Sequence, residues 1–372
     1  MTYLKENINS RLRLLSVDIF RGMTICLMII VNTPGSWSYV YDPLRHSAWH
    51  GCTFADLVFP SFIFVVGLSM SLSFSKKKDT KELLKNLFRR SILIFVIGIL
   101  LNWFPFFNTN IENLRILGVL QRIALSYFLA GFIVIFFSRT RWIAISSVTL
   151  LLIHWIILYF YGGSEPYSLT ENISSKIDLF LLTEQHIYHG YNVPFEPEGI
   201  LGTLSTASQV LFGFMAGRYI YYQNSIQNTK LLRLGCFSIL MIVFGLMWDI
   251  LYPINKPLWT GSFVIYTTGI FLAFLLFLIW IVDIKKKKSW SFLFVVFGKN
   301  ALISYLLSIT FLKIFLFLIK INGDSLYVWL FQQVFSPFFS NNFASLLYAI
   351  SFTFFIWLFS FILFLNKKII KI

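Results

Sequence analysis

The sequence predicts an all-α, polytopic integral membrane protein with about ten transmembrane helices and both termini in the cytoplasm. Three observations lead there. Of 372 residues, 57% are hydrophobic and only 13% charged, and the mean hydropathy is +0.75, which is more apolar surface than one water-soluble core encloses. Apolar runs near the length that spans a bilayer as a helix recur along the chain. The basic residues behind the net charge of +15 sit in short runs between those segments, where cations mark the cytoplasmic side. The same arrangement argues against nucleic-acid binding, because no basic groove-forming domain remains once the spans are set aside.

In chain order the runs fall at about 14–33, 53–74, 88–104, 114–137, 142–161, 200–221, 232–251, 260–282, 290–319 and 343–365. The first holds Asp18 and Arg21 and is followed by no small-residue cleavage pattern, so it is expected to be a retained span, not a removed leader. The ninth is overlong and is expected to be tilted, broken or extended past the bilayer. With the N-terminus inside, one set of connections carries Lys76, Lys77, Lys78, Lys81, Lys85, Arg89, Arg90, Arg139, Arg141, Arg218, Lys230, Arg233, Lys285 to Lys288, Lys367, Lys368 and Lys371. The opposite set holds only Arg45, Arg115, Lys176, Lys256 and Lys320. That asymmetry places the loop around His46 outside.

The longest outer connection, about 162–199, is rich in Tyr, Glu, Pro, Gly and His and ends in PFEPEG. Its length suggests an ordered lid or binding loop. Cys26, Cys52 and Cys236 are odd in number and lie in or beside apolar runs, so no disulfide framework is implied. With no repeat or soluble domain evident, residues 1–372 are expected to form one membrane domain.

The stretch 32–60 sets His46 between two apolar segments, with Asn32 closing the first and Asp56 opening the second. Polar groups are costly in hydrocarbon, and those retained at the mouth of two spans suggest use. An imidazole, with an ordinary pKa of about 6.5, can take a proton from an amine or alcohol at neutral pH. His46 alone also fits an interfacial histidine packed beside Trp49; its convergence with Asn32 and Asp56 favours catalysis. His46, His50 and Asp56 have a spacing that a metal can use on a helix, but no firm third ligand is evident, so no metal is expected. His186 and His189 read as loop histidines. Cys52 lies in an apolar setting that suppresses thiolate, which argues against a nucleophile there.

Asp18 and Arg21 share a helix face and can neutralise each other. Gln121 and Arg122 in GVLQR, Arg218 in AGR, and Lys299 with Asn300 in FGKN are further polar groups in or beside spans. A charge at mid-helix costs about 2.5–3.5 kcal/mol on insertion scales, so several together imply a shared polar cavity. Cations reachable from the cytoplasm suit a phosphate-bearing ligand, yet no nucleotide-binding glycine motif accompanies them.

Taken together, RLRLLSVDIFRG, the VN at 31–32, HSAWHG, ADLVFP, GVLQR, PEGILGT with AGR, and NKPLW resemble the family of heparan-alpha-glucosaminide N-acetyltransferase, in order over nearly the whole chain. The resemblance implies a polytopic enzyme that takes acetyl from cytoplasmic acetyl-CoA, as donor substrate, and delivers it to a glucosamine amine across the membrane. It places the active-site histidine on His46, a nearby asparagine on Asn32 and the ADLVFP aspartate on Asp56. Arg21, Gln121, Arg122, Arg218, Lys299 and Asn300 are then expected to hold the donor, and Glu198 and Asn255 the acceptor. The chain departs from the animal enzyme by lacking its large luminal domain and first span, and by a longer interval between Asn32 and His46. A bacterial-type inner-membrane enzyme is expected, with an amino sugar or glycan as acceptor, lipid around it and a homodimer implied. Two other readings stay open: a transporter of an amino sugar or anionic solute, and an O-acetyltransferase of an envelope polysaccharide.

Overall fold

The computed structural model describes residues 14–74, 79–107, 110–221 and 228–368; Lys76 to Lys78, Lys371 and the first three residues of RLRLLSVDIFRG, named above, lie outside them. The chain is helical almost throughout. Helices α1 (Leu15–Asn32), α2 (Phe54–Phe74), α3 (Thr80–Trp103), α4 (Val119–Phe136) and α5 (Thr140–Tyr161) come first. The long connection after α5 folds a helix of its own, α6 (Ile173–Leu182), before α7 (Gly202–Tyr221), α8 (Asn228–Asp249) and α9 (Gly261–Leu278). The remainder is α10 (Phe292–Lys299), α11 (Ala301–Lys313), α12 (Leu326–Leu330) and α13 (Asn341–Leu365). Among the described residues the strand content is one small hairpin, Lys320–Ile321 against Asp324–Ser325. It turns through Asn322 and Gly323, whose φ angles of 53° and 93° are those an Asn-Gly hairpin turn accepts.

Eight helical segments among the described residues are long and apolar enough to cross a bilayer, in α1, α2, α4, α5, α8, α9, α11 and α13. The other two expected spans, α3 and α7, are helices of 24 and 20 residues that fall short in apolar character for different reasons. α3 carries Lys81, Glu82, Lys85, Arg89 and Arg90 in its first half. α7 is buried among α2, α4, α5 and α9, so Gly, Ser, Thr and Gln can replace the side chains a lipid-facing helix needs. The overlong ninth run is broken: Asn300, at φ −125° and ψ 39°, separates α10 from α11.

Within a bilayer helices associate through close packing rather than through loss of water, so small residues sit where they cross. α2 lies along α7 with Gly67 against Gly213 and Ser71 against Gly217; a Cβ on Gly67 would fall 2.0 Å from the Val210 carbonyl oxygen. Gly67 and Ser71 are therefore used inside the chain. α1 and α10 meet the same way through Gly22 and Gly298. Helix ends are satisfied from a distance: the Asp283 carboxylate accepts from the Leu15 and Ser16 amides at 3.2 and 3.3 Å. At the other end of α3, the Lys313 ammonium donates to the carbonyls of Leu101, Asn102 and Phe104 at 2.7, 3.0 and 2.8 Å. Both arrangements set a full charge against the matching end of a helix dipole.

Candidate active site

The site forms where α1 ends, α2 begins, and the loops 45–53, 194–199 and 253–260 come together. Asp56, in the first turn of α2, reaches back over the helix start: its Oδ2 accepts from the Thr53 amide at 3.1 Å and from the Thr53 hydroxyl at 3.0 Å. The same oxygen takes the Ser47 amide at 3.0 Å, which draws the HSAWHG loop onto the helix. The other oxygen, Oδ1, faces His46 Nδ1 at 2.8 Å. The Asp56 side chain is 1% exposed and that of His46 42%, so a buried carboxylate holds a histidine that is open on its far side. With the proton on Nδ1, Nε2 is left as the acceptor.

Lys256 enters from the connection between α8 and α9. Its ammonium lies 3.3 Å from Asp56 Oδ1 and 3.1 Å from His46 Nδ1. Burial lowers its pKa, opposed by the Asp56 charge. The neighbouring Asn255 delivers it there. Asn255 is fully buried; its amide nitrogen donates to the Trp49 carbonyl at 3.0 Å and its oxygen accepts from the Leu258 amide at 2.7 Å. A Gly51 amide to Ile254 carbonyl bond of 2.7 Å completes the join between the two loops, at a glycine whose φ of +100° other residues rarely adopt. Asn255, expected to meet an acceptor, is thus committed to the loop, and the side chain that reaches the site is Lys256.

A cavity of about 120 Å³ is lined by Asn32, His46, Glu198 and Lys256, with Met28, Val31, Ala55, Val58, Phe59 and Val119 as its apolar wall. Sequence reasoning placed Asn32, His46, Asp56 and Glu198 here. Glu198 is held by Arg115, whose guanidinium binds Glu198 at 2.6 Å and Glu196 at 2.5 and 2.9 Å and lies over the Tyr188 ring. Burial, reinforced by the Glu198 charge and opposed by Arg115, pushes Glu196 up to about 7. Burial also works against charge on Glu198, but Arg115 and Arg122 outweigh it and hold Glu198 below the usual range.

Arg122 is 1% exposed. It donates to the carbonyls of Pro197 and Gly199 at 3.0 Å each and to the Thr206 hydroxyl at 3.1 Å, clamping the PEG turn from behind. Gln121 packs in the notch left by Gly98 and Gly118. The six residues expected to hold the donor fall in three places. Gln121 and Arg122 stand behind Glu198. Arg21 reaches the Gly298 carbonyl at 3.2 Å and Ser69 at 2.5 Å, next to Lys299 and Asn300 at the break before α11. Arg218 is 16 residues beyond Gly202 on α7, about 24 Å along the helix, where it donates to the Ser138 carbonyl at 2.7 Å.

His46 and His50 turn to different partners, His50 Nδ1 lying 3.3 Å from the Asn255 amide. Burial, aided by Asp56 and opposed by Lys256, pushes the Cys52 thiol up to about 12, so at neutral pH it is no thiolate. His186 Nδ1 donates to the Leu114 carbonyl at 2.7 Å and shapes the loop that presents Arg115.

Residues 13–237, which include Asn32, His46, Asp56, Arg122 and Glu198, match the family described as heparan-alpha-glucosaminide N-acetyltransferase, catalytic. The chain belongs to that family. Among curated proteins it is similar to heparan-alpha-glucosaminide N-acetyltransferase of Mus musculus, 28% identical over 345 residues that cover 73% of this chain and 50% of that protein. It is also similar to the Homo sapiens protein of that name, 28% identical over 340 residues covering 73% and 49%. The chain thus spans about half the length of the curated relatives it matches.

Lys256 lies beyond the range of the heparan-alpha-glucosaminide N-acetyltransferase family match, and sequence reasoning counted it only among outer-loop charges. The signal that could have found it was its place in NKPLW, a motif whose other polar member is the buried Asn255. Arg115 and Glu196 were missed for a similar reason: a charge in a loop looks solvated until its partner, 81 residues away, is known.

Proposed function

We propose that the chain is a transmembrane acetyltransferase that takes acetyl from cytoplasmic acetyl-CoA and gives it to the amine of a glucosamine-type sugar or glycan at the outer face, with His46 at its centre. The observation that carries this reading is the His46 pair: Asp56 holds Nδ1 at 2.8 Å, which leaves Nε2 for chemistry in a small cavity shared with Asn32, Lys256 and Glu198. The membrane-crossing helices and the names of the two relatives support the reaction class.

The donor's phosphates suit the basic end of the bundle, where Arg21 and Lys299 flank the break before α11. From Arg21 to Asn32 is 11 residues of α1, about 16 Å along the helix. A flexible thioester arm can cover that distance, so the acetyl group crosses while the nucleotide stays behind. At about 120 Å³ the cavity has room for an acetyl group and the attacking atom, and the body of a sugar remains at the outer mouth.

His46 Nε2 serves either of two routes. In one it attacks the thioester carbon, the C–S bond breaks and the thiolate departs; the acceptor amine then attacks the acetyl-imidazole, the Nε2–acyl bond breaks, and the surplus proton of the amine passes to the freed Nε2 and on to the thiolate. In the other the amine attacks the thioester directly, and Nε2 takes its proton and returns it to the leaving sulfur. The Asn32 side-chain amide is suited to donate to the oxyanion in both. The Glu198 carboxylate at the cavity wall suits an amine, which keeps a second N–H to donate there after Nε2 has taken one, whereas a hydroxyl has a single proton to give.

Transfer of radiolabelled acetyl from acetyl-CoA to glucosamine by the protein in liposomes, with a hydroxyl-only sugar alongside, tests the proposal. Transfer to glucosamine that is lost in folded His46→Ala supports it. Transfer only to the hydroxyl sugar moves the reaction to O-acetylation, and solute uptake without transfer to either sinks the enzyme reading.

A further inference from the structure

A cavity of about 770 Å³ is a groove between the basic ends of α5, α7, α8 and α9. α1, along which the donor path is proposed, contributes no residue to its lining. α8 packs along α9, and the groove opens between α8 and α5. Its walls are apolar, formed in part by Val148, Phe212, Met215, Phe237, Met241 and Leu272, while Arg218, Lys230 and Arg233 stand together at one end. These three cations flank a single connection of the basic set, Arg218 near the end of α7 and Lys230 and Arg233 near the start of α8.

A void of this size within a bilayer does not stay empty, because its lining would forgo contact on one side. Water fills it poorly, since the walls give few hydrogen-bond partners. Its volume lies within the range of about 300–1,000 Å³ that small-molecule sites occupy. An occupant must be apolar along its length and anionic at one end. Basic pockets between transmembrane helices on the cytoplasmic side meet that demand with a lipid head group.

We propose that this groove is a binding site for an anionic phospholipid, its phosphate held by Arg218, Lys230 and Arg233 and an acyl chain laid along the groove between α5 and α8. This inference is independent of the reaction proposed above.

The test is native mass spectrometry of the detergent-purified protein with dioleoylphosphatidylglycerol or dioleoylphosphatidylcholine. The anionic lipid is expected to bind about tenfold more tightly than its zwitterionic counterpart, and Lys230→Gln with Arg233→Gln to remove the preference. Ala144→Phe, which fills the groove from α5, is expected to reduce binding of both lipids. If it fails to fold, the wild-type comparison and the charge variants still decide. Equal binding of the two lipids by wild type, or a preference that survives in the charge variant, overturns the proposal. So does displacement of bound lipid by glycerol 3-phosphate, which marks a site for free phosphate, or by acetyl-CoA, which gives the groove to the donor.

Discussion

Asp56 divides its two carboxylate oxygens between two tasks: Oδ2 caps α2 and holds the Ser47 amide, while Oδ1 faces His46 Nδ1 at 2.8 Å. One residue thus fixes the backbone that carries the histidine and also the tautomer of its ring. Substitution by asparagine keeps the volume and one acceptor oxygen but removes the charge, and the amide can present a donor to Nδ1. Asp56→Asn is expected to lower the rate of acetyl transfer by about 10³-fold or more, as loss of a tautomer-setting carboxylate does elsewhere. Steady-state kinetics on the folded variant check this; a rate within a few fold of wild type would remove Asp56 from the machinery.

Lys256 places an ammonium 3.1 Å from the ring nitrogen that Asp56 holds. Glu198 faces the same cavity, so the ammonium partners the buried Asp56 oxygen that also holds the ring. Removing it in Lys256→Met leaves that carboxylate one partner short, and kcat/KM for acetyl transfer is expected to fall by about tenfold or more. Lys256→Arg, which keeps the cation, is expected to retain more of the rate. A Lys256→Met rate within a few fold of wild type would assign Lys256 to loop packing alone.

The sequence made the helices and half of this site legible for a physical reason. Apolar runs of membrane length announce themselves, and His46, Asn32, Asp56 and Glu198 are polar groups at the ends of such runs or in the outer lid. What it hid were partnerships. Arg122 stands out in GVLQR as a buried charge, but nothing local says that it binds the backbone of Pro197 and Gly199. Arg21 equally finds its acceptor at Gly298, 277 residues away. Lys256 is concealed most fully, because its solitary charge on an outer loop follows the orientation rule and needs no further explanation.

Glu196 gives the connection 162–199 a pH dependence with a definite sign. A carboxyl pushed up to about 7 in the folded chain binds its proton there more tightly than in the unfolded chain, where it titrates near 4.5. Its contribution to stability is complete below about pH 4.5 and is lost as pH rises through about 7. Asp178, pushed up to about 6 by burial despite the Ile200 amide and Arg122, acts in the same direction. Relative to Glu196→Gln, wild type is expected to lose thermal stability between about pH 5 and 7.5. Scanning fluorimetry across that range reads it, and equal slopes in the two proteins would contradict the buried-carboxyl account.

Two glycines in the bundle offer opposite outcomes for one substitution. At Gly298 an added Cβ would lie 2.0 Å from the Asp18 carbonyl oxygen, whereas at Gly235 on α8 the nearest atom is 4.0 Å away. Gly298→Ala must push α10 from α1 and is expected to destabilise by about 1–3 kcal/mol or more. Gly235→Ala meets no obstacle and gains up to about 1 kcal/mol of helix propensity. Thermal midpoints of the two variants in one detergent test the packing of α10. Because α10 carries Lys299 and the Gly298 carbonyl that Arg21 reaches at 3.2 Å, Gly298→Ala is also expected to raise the KM for acetyl-CoA more than Gly235→Ala does. Equal midpoints would mean that α1 and α10 do not meet as closely as their backbones indicate, and the donor path drawn along α1 would lose its wall.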